Sequence, residues 1–214
     1  MVRSVPTDFG GGASAAKVLA ISDLMIRFDV HDAVEIGVYR GRFLLPIAEA
    51  LRFRGAGRVI GIDPWSAAEA LQRDDHEVGP VVNEFVRAHP WEDIYESLVA
   101  RIDKRGLGSH VELMRMTSRD AAERIPDRSV GLVHVDGNHD PDAVELDVRL
   151  YEPKLRPGGL LVLDDTLWAS VQPTVAELRA RLRPILHMVD LVGAFDDEQP
   201  SDFVVFRIGN ASGE

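Results

Sequence analysis

The chain has no cysteine, so it can form neither a disulfide nor a thiolate metal site. Lysine is nearly as scarce: only Lys17, Lys104 and Lys154 occur, and arginine supplies the remaining basic residues. Positive charge as a whole is in deficit, with a formal net charge of −11. That balance argues against a protein that grips nucleic acid through its phosphates. No apolar run approaches the roughly 20 residues needed to cross a bilayer. The opening, MVRSVPTDFGGGASAAK, lacks the apolar centre of a secretion signal. These absences lead to the expectation of a cytoplasmic protein with neither nucleic acid nor membrane as partner.

The 214 residues, 45% of them hydrophobic and 28% charged, suit a single domain with a well-buried core. The glycine- and serine-rich start through Gly12 reads as mobile. Val18, Ile21, Leu24, Met25 and Phe28 then recur at helical spacing. From there, apolar runs alternate with helical patterns. AVEIGV, RVIGID, HVELMRM, SVGLVHVD and GGLLVLDD read as buried strands. GRFLLPIAEALRF, SRDAAERI, DAVELDVRLYEPKL and PTVAELRARL read as the helices between them. PILHMVDLV and DFVVFRI close the chain with no helix-length segment between them. The alternation predicts an α/β, doubly wound, seven-stranded sheet, mostly parallel, with a C-terminal antiparallel hairpin. One domain spans residues 1–214. Residues 1–30 form an N-terminal helix and lid, and the looser stretch 64–108 is an insertion that contributes to the acceptor site.

Ligands of such sheets bind beyond the carboxyl ends of the strands. The first strand runs into Glu35-Ile36-Gly37-Val38-Tyr39-Arg40-Gly41, where Gly37 and Gly41 allow a tight turn with or without a ligand. The second strand ends in Asp63, which suits a ribose diol and equally suits a cap for the following turn. A third glycine is missing, which argues against a dinucleotide fingerprint. Together these features favour an adenosyl ligand without a pyrophosphate, and S-adenosylmethionine fits that description. Ser118 is placed to hydrogen-bond the adenine edge, or to cap the helix that follows it, or both.

One later strand ends in His134-Val135-Asp136-Gly137-Asn138-His139-Asp140 and the next in Asp164-Asp165. A parallel sheet brings both ends to one edge, so three carboxylates converge. Their repulsion calls for a cation, and oxygen ligands favour Mg²⁺, with Mn²⁺ or Ca²⁺ as alternatives. Any one of these aspartates alone reads equally well as a helix cap. His139, three residues beyond Asp136, reads as a general base or as a surface cap. The remaining histidines, His134 among them, read as structural. Trp65 and Trp91 in the insertion read as packing residues or as stacking surfaces for a sugar.

At this point the residues resemble class I S-adenosylmethionine-dependent methyltransferases with a Rossmann-like sheet, in particular a small bacterial group of metal-dependent O-methyltransferases. EIGVYRG resembles the first motif of that family, GID its ribose motif and MTSRDA its adenine segment. The stretch VDGNHDPDAVELDVRLYEPKLRPGGLLVLDD is the most specific part of the likeness. The resemblance implies Asp136, Asp164 and Asp165 as metal ligands, and Tyr39 and Asp136 near the methionyl end of the cofactor. Glu35, Gly37, Gly41, Asp63 and Ser118 complete the implied cofactor site. His139 stands where catechol-type relatives carry a lysine base, and Phe43 where they carry a serine for the cofactor carboxylate. The implied acceptor is the hydroxyl of a small molecule, a sugar or glycoside as in antibiotic and polymethylated-polysaccharide pathways, and the implied assembly a homodimer. A metal-independent N- or carboxyl-methyltransferase, a nicotinamide-dependent oxidoreductase and a non-catalytic adenosyl-binding protein are the competing classes.

Overall fold

The structure, a computed structural model, describes residues 13–75, 79–190 and 201–209. The expectation of a mobile start through Gly12 lies outside them. The chain opens with α1 (Ala15–Arg27), β1 (Asp32–Ile36), α2 (Leu44–Arg54) and β2 (Arg58–Ile62). The insertion supplies α3 (Ala67–Ala70), α4 (Gly79–Ala88) and α5 (Trp91–Lys104). Then follow β3 (Val111–Met114), α6 (Ser118–Ala122), β4 (Val130–Val135), α7 (Pro141–Tyr151), β5 (Leu155–Asp164) and α8 (Gln172–Arg181). β6 (Pro184–Asp190) and β7 (Ser201–Arg207) end the sheet. Pro46 falls in the first turn of α2, where proline is tolerated. Pro90 separates α4 from α5.

The strand order is β3-β2-β1-β4-β5-β7-β6. β1 to β5 run parallel, and β7 inserts antiparallel between β5 and β6. The chain therefore winds outward in both directions from β1 and β4. Their carboxyl ends flank the switch point at which such sheets bind ligands.

Strand side chains alternate between two layers. Leu132, Leu160 and Val162 join Ile21, Met25, Leu45, Leu51 and Leu98 on one face. Val133, Leu161 and Leu163 join Ala121, Val144, Val148, Tyr151 and Leu178 on the other. Each fully buried leucine contributes about 1.5–3 kcal/mol. This double cover holds the strand ends rigid, so their loops carry the chemistry.

Candidate active site

A cleft of about 300 Å³ lies along the carboxyl edge of the sheet, within the size range of small-ligand sites. At one end it is bounded by Ile62, Asp63, Ser118, Leu146 and Asp147; in the middle by Gly37 and Tyr39; at the other end by Glu35, Arg42, Phe43 and Asp136. His139, Asp165, Trp168, Phe85 and Trp91 form its outer wall.

Gly37 has φ +84°, and a Cβ there would lie 1.9 Å from the carbonyl oxygen of Asp136. The close approach that requires this glycine is between the β1 and β4 loops. Asp63 ties three further backbone groups into the same edge. Its Oδ2 accepts from Val38 N at 3.1 Å and Tyr39 N at 2.9 Å, and its Oδ1 accepts from Trp65 N at 2.7 Å. Burial pushes the Asp63 carboxyl above its ordinary range, against the pull of these N–H donors. Asp63 is thus a loop organiser whose Oδ1 retains acceptor capacity toward the cleft.

Two sequence-based readings meet their geometry here. Thr117 caps α6, accepting from Asp120 N, while the Ser118 hydroxyl donates to Asp147 Oδ1 at 2.5 Å. Trp65 is 1% exposed, with its indole N–H donated to Tyr39 O, so it packs and offers no stacking face. Trp91 does line the cleft.

The acidic end holds more than the expected aspartates. Asp136, Asp164 and Asp165 do converge, and Asp165 adopts φ +52°, so the chain has already turned after β5. Asp164 and Asp165 therefore reach opposite sides of Asp136. On the inner side, the ammonium of Lys17 donates to Asp164 Oδ2 and lies 3.8 Å from Asp136 Oδ2. Burial works against the charge on Lys17, but Asp164 and Asp136 outweigh it and hold the amine above its ordinary pKa. Burial also opposes ionisation of Asp164, but Lys17 overrides it and holds that carboxyl below the usual range. Asp136 moves the other way, well upward, through burial and the charge of Asp164. Glu35, behind them, is pushed well up by burial.

His134, read from sequence as structural, stands beside this inner pair. It is fully buried, with Nε2 at 3.6 Å from Asp164 and 3.9 Å from Asp136, and Phe43 packs on its ring at 4.3 Å. Burial pushes it down to about 4, so it is neutral at physiological pH. On the outer side, His139 Nε2 lies 3.0 Å from Asp165 Oδ2 and 3.9 Å from Asp136 Oδ1. Its Nδ1 lies 3.4 Å from the side-chain amide of Gln72, and the Trp168 ring stands 4.4 Å away.

Sequence reasoning passed over Lys17, His134, Gln72, Asp147 and Trp168. Lys17 carried a readable signal: it stands one helical turn before Ile21, on the stripe that faces the core.

The donor chemistry fits a hard divalent ion on the outer side. A carboxylate oxygen of Asp136 and one of Asp165 lie within 4.8 Å of each other and of a ring nitrogen of His139, two hard oxygen donors with an imidazole beside them. His139 Nε2 is shielded from solvent and makes no hydrogen bond, although Asp165 Oδ2 stands 3.0 Å away. The inner set of His134, Asp136 and Asp164 is equally compact, but Lys17 occupies its edge. Asp164, expected as a third ligand, lies in this inner set and pairs through Oδ2 with Lys17.

Comparison with known proteins agrees with this geometry. The family model described as "Methyltransferase domain" matches residues 34–166, and no curated protein matches the sequence. Several solved structures share the fold. TomG from Streptomyces achromogenes, an O-methyltransferase involved in tomaymycin synthesis and solved with S-adenosylmethionine, is 18% identical; the match covers 93% of this chain and 82% of that one, with a TM-score of 0.64. An O-methyltransferase from Bacillus cereus, solved with S-adenosylhomocysteine, is 14% identical over 96% of this chain and 84% of that one, with a TM-score of 0.62. Cofactor-bound Rv0187 from MTB is 14% identical over 97% of this chain and 85% of that one, with a TM-score of 0.66. The sheet order, the glycine-lined switch point and the matched span from β1 to the end of β5 lead to one assignment: the chain belongs to the methyltransferase domain family.

Proposed function

We propose that the protein transfers the methyl group of S-adenosylmethionine to a hydroxyl of a small molecule, a sugar or glycoside, with assistance from Mg²⁺ or Mn²⁺. The observation that carries this reading is the outer wall of the cleft. There His139 Nε2, shielded and without a hydrogen bond, faces two carboxylates beside the cleft at the switch point. Structural neighbours solved with S-adenosylmethionine and S-adenosylhomocysteine support the cofactor, and their description as O-methyltransferases supports the hydroxyl acceptor. Incompleteness of the glycine fingerprint and the methyltransferase family match both weigh against a nicotinamide enzyme.

In this reading Ser118 and Asp147 border the adenine, Asp63 and the Gly37 turn border the ribose, and Glu35 and Arg42 border the methionyl end. Arg42, 4% exposed and anchored through Nε to Ala13 O at 2.6 Å, takes the cofactor carboxylate in place of the serine that Phe43 replaces. Asp136 and Asp165 would hold the divalent ion, which when bound lowers the pKa of an acceptor hydroxyl and orients it. Mg²⁺ prefers oxygen donors, which leaves the single lone pair of His139 Nε2 for the proton. The methyl moves in line: the sulfur–carbon bond breaks as the oxygen–carbon bond forms, the sulfonium becomes a neutral thioether, and the hydroxyl proton passes to His139. The carboxylate of Asp165 stabilises the imidazolium that results. Trp168, Trp91 and Phe85 line the outer cleft, and aromatic faces there suit the apolar face of a sugar ring.

A second reading, metal-independent transfer, is favoured by Lys17, which already neutralises the inner carboxylates. Calorimetry with S-adenosylmethionine, followed by methyl transfer to a panel of sugar and catechol acceptors with and without EDTA, separates the two. Loss of turnover on chelation and its return with Mg²⁺ are expected. Full turnover after exhaustive chelation would select the metal-independent reading, and failure to bind S-adenosylmethionine would end both.

A further inference from the structure

The carboxylate oxygens at the strand ends are divided between two sides. The Oδ2 atoms of Asp164 and Asp136 face inward, toward Lys17 Nζ and His134 Nε2. Asp136 Oδ1 and Asp165 Oδ2 face outward, toward His139. The inner side is closed: Lys17 is 1% exposed, His134 is fully buried, and neither ring nitrogen of His134 has a hydrogen-bond partner. Phe43 covers both, its ring 5.3 Å from the ammonium and 4.3 Å from the imidazole ring. An ammonium and a divalent ion cannot share Asp164 Oδ2, because two cations at contact distance repel strongly where little solvent screens them.

We propose that Lys17 is a resident cation that withdraws Asp164 from the metal set, so that a divalent ion meets only Asp136 and Asp165, and that this lysine sets how tightly the site holds metal. The inference rests on the outer-side metal reading for its consequence in the wild-type protein, but its own test does not require wild-type binding. Lys17 also comes from α1, outside the residues that the family model matches. Metal affinity is therefore set by an element that is not part of the sheet.

The test uses Mn²⁺ alone, titrated into the full chain and followed by electron paramagnetic resonance of the free ion. Lys17→Met should bind Mn²⁺ about tenfold or more tightly than wild type, since ligand charge count moves divalent affinities by decades. The gain should vanish in Lys17→Met/Asp164→Asn, because the freed carboxylate is its source. An unchanged affinity in folded Lys17→Met overturns the proposal, as does a gain that survives in the double variant. If wild type binds no Mn²⁺, the metal part of the proposed function fails, while Lys17→Met must still acquire binding or this inference fails too. If Lys17→Met is unfolded by its exposed repulsion, Mn²⁺ must restore the fold by linkage. A chain that stays unfolded in saturating Mn²⁺ overturns the proposal.

Discussion

His139 has two ring nitrogens, and each meets a different neighbour. Nδ1 meets the Gln72 amide, whose Oε1 is itself buried and unpartnered. Turning that amide lets Oε1 accept from Nδ1–H, which fixes the tautomer and leaves the Nε2 lone pair aimed at the cluster. A base so oriented predicts that His139→Ala lowers turnover by about 10²–10⁴-fold while S-adenosylhomocysteine affinity stays within a few-fold of wild type. Gln72→Leu should lower turnover by a smaller factor, since the base survives without its orienting partner. Stopped assays with a labelled methyl group check both. Near-normal turnover in His139→Ala would return the proton to solvent and leave His139 a wall residue. Arg42→Leu belongs at the same scale. It should weaken cofactor binding by about 1.5–3 kcal/mol, the range for a hydrogen bond to a charged group, as read by calorimetry, without altering the response to metal.

Elements set where these residues stand, and here the sequence was informative in an uneven way. The central strands were legible because buried parallel strands are short continuous apolar runs, as in Val130–Val135 and Leu160–Leu163. The convergence of Asp136, Asp164 and Asp165 followed from parallel topology alone. Contacts made across elements were not legible. Lys17 meets Asp164 across 147 positions, and Ser118 meets Asp147 across 29; no local pattern encodes either pairing. The placement of β7 between β5 and β6 was equally hidden, since a hairpin pattern does not say which strand is outermost. Gly37 shows the same limit. It read as the glycine of a tight turn, with or without a ligand, and the structure adds that it seats the β1 loop on the Asp136 carbonyl. Gly37→Ala must shift one loop off the other, and a positive φ adds strain. The expected loss is about 2 kcal/mol or more of stability, measured by urea unfolding, with cofactor affinity falling in parallel. An unperturbed Gly37→Ala protein would mean that the two loops move freely.

At the scale of the whole molecule, the carboxyl edge is a set of buried acids held by few cations, and this makes stability depend on pH in a direction that can be derived. Asp147 is the cleanest reporter, because burial and a single hydroxyl partner define its surroundings. It is 4% exposed, and its partner is the hydroxyl of Ser118, whose backbone carbonyl in turn accepts from Tyr151 at 2.7 Å. Burial pushes the Asp147 carboxyl up to about 6, with the Ser118 hydroxyl opposing. In the unfolded chain it titrates near its ordinary value of about 3.9. Between about pH 4 and pH 6 the folded protein therefore holds more protons than the unfolded chain, so stability falls as pH rises through this window and is flat above it. Two pKa units correspond to about 3 kcal/mol at most. Asp147→Asn keeps the shape and an oxygen for Ser118 but removes the ionisation. The variant should be more stable than wild type at about pH 7.5 by an amount of order 1–3 kcal/mol, and the advantage should shrink to nothing by about pH 4. Urea unfolding of both proteins at the two pH values isolates this group, since every other titration cancels in the difference. A difference that does not change with pH would mean that Asp147 keeps its ordinary pKa in the fold, and that the Ser118 end of the cleft is wetter than its burial implies.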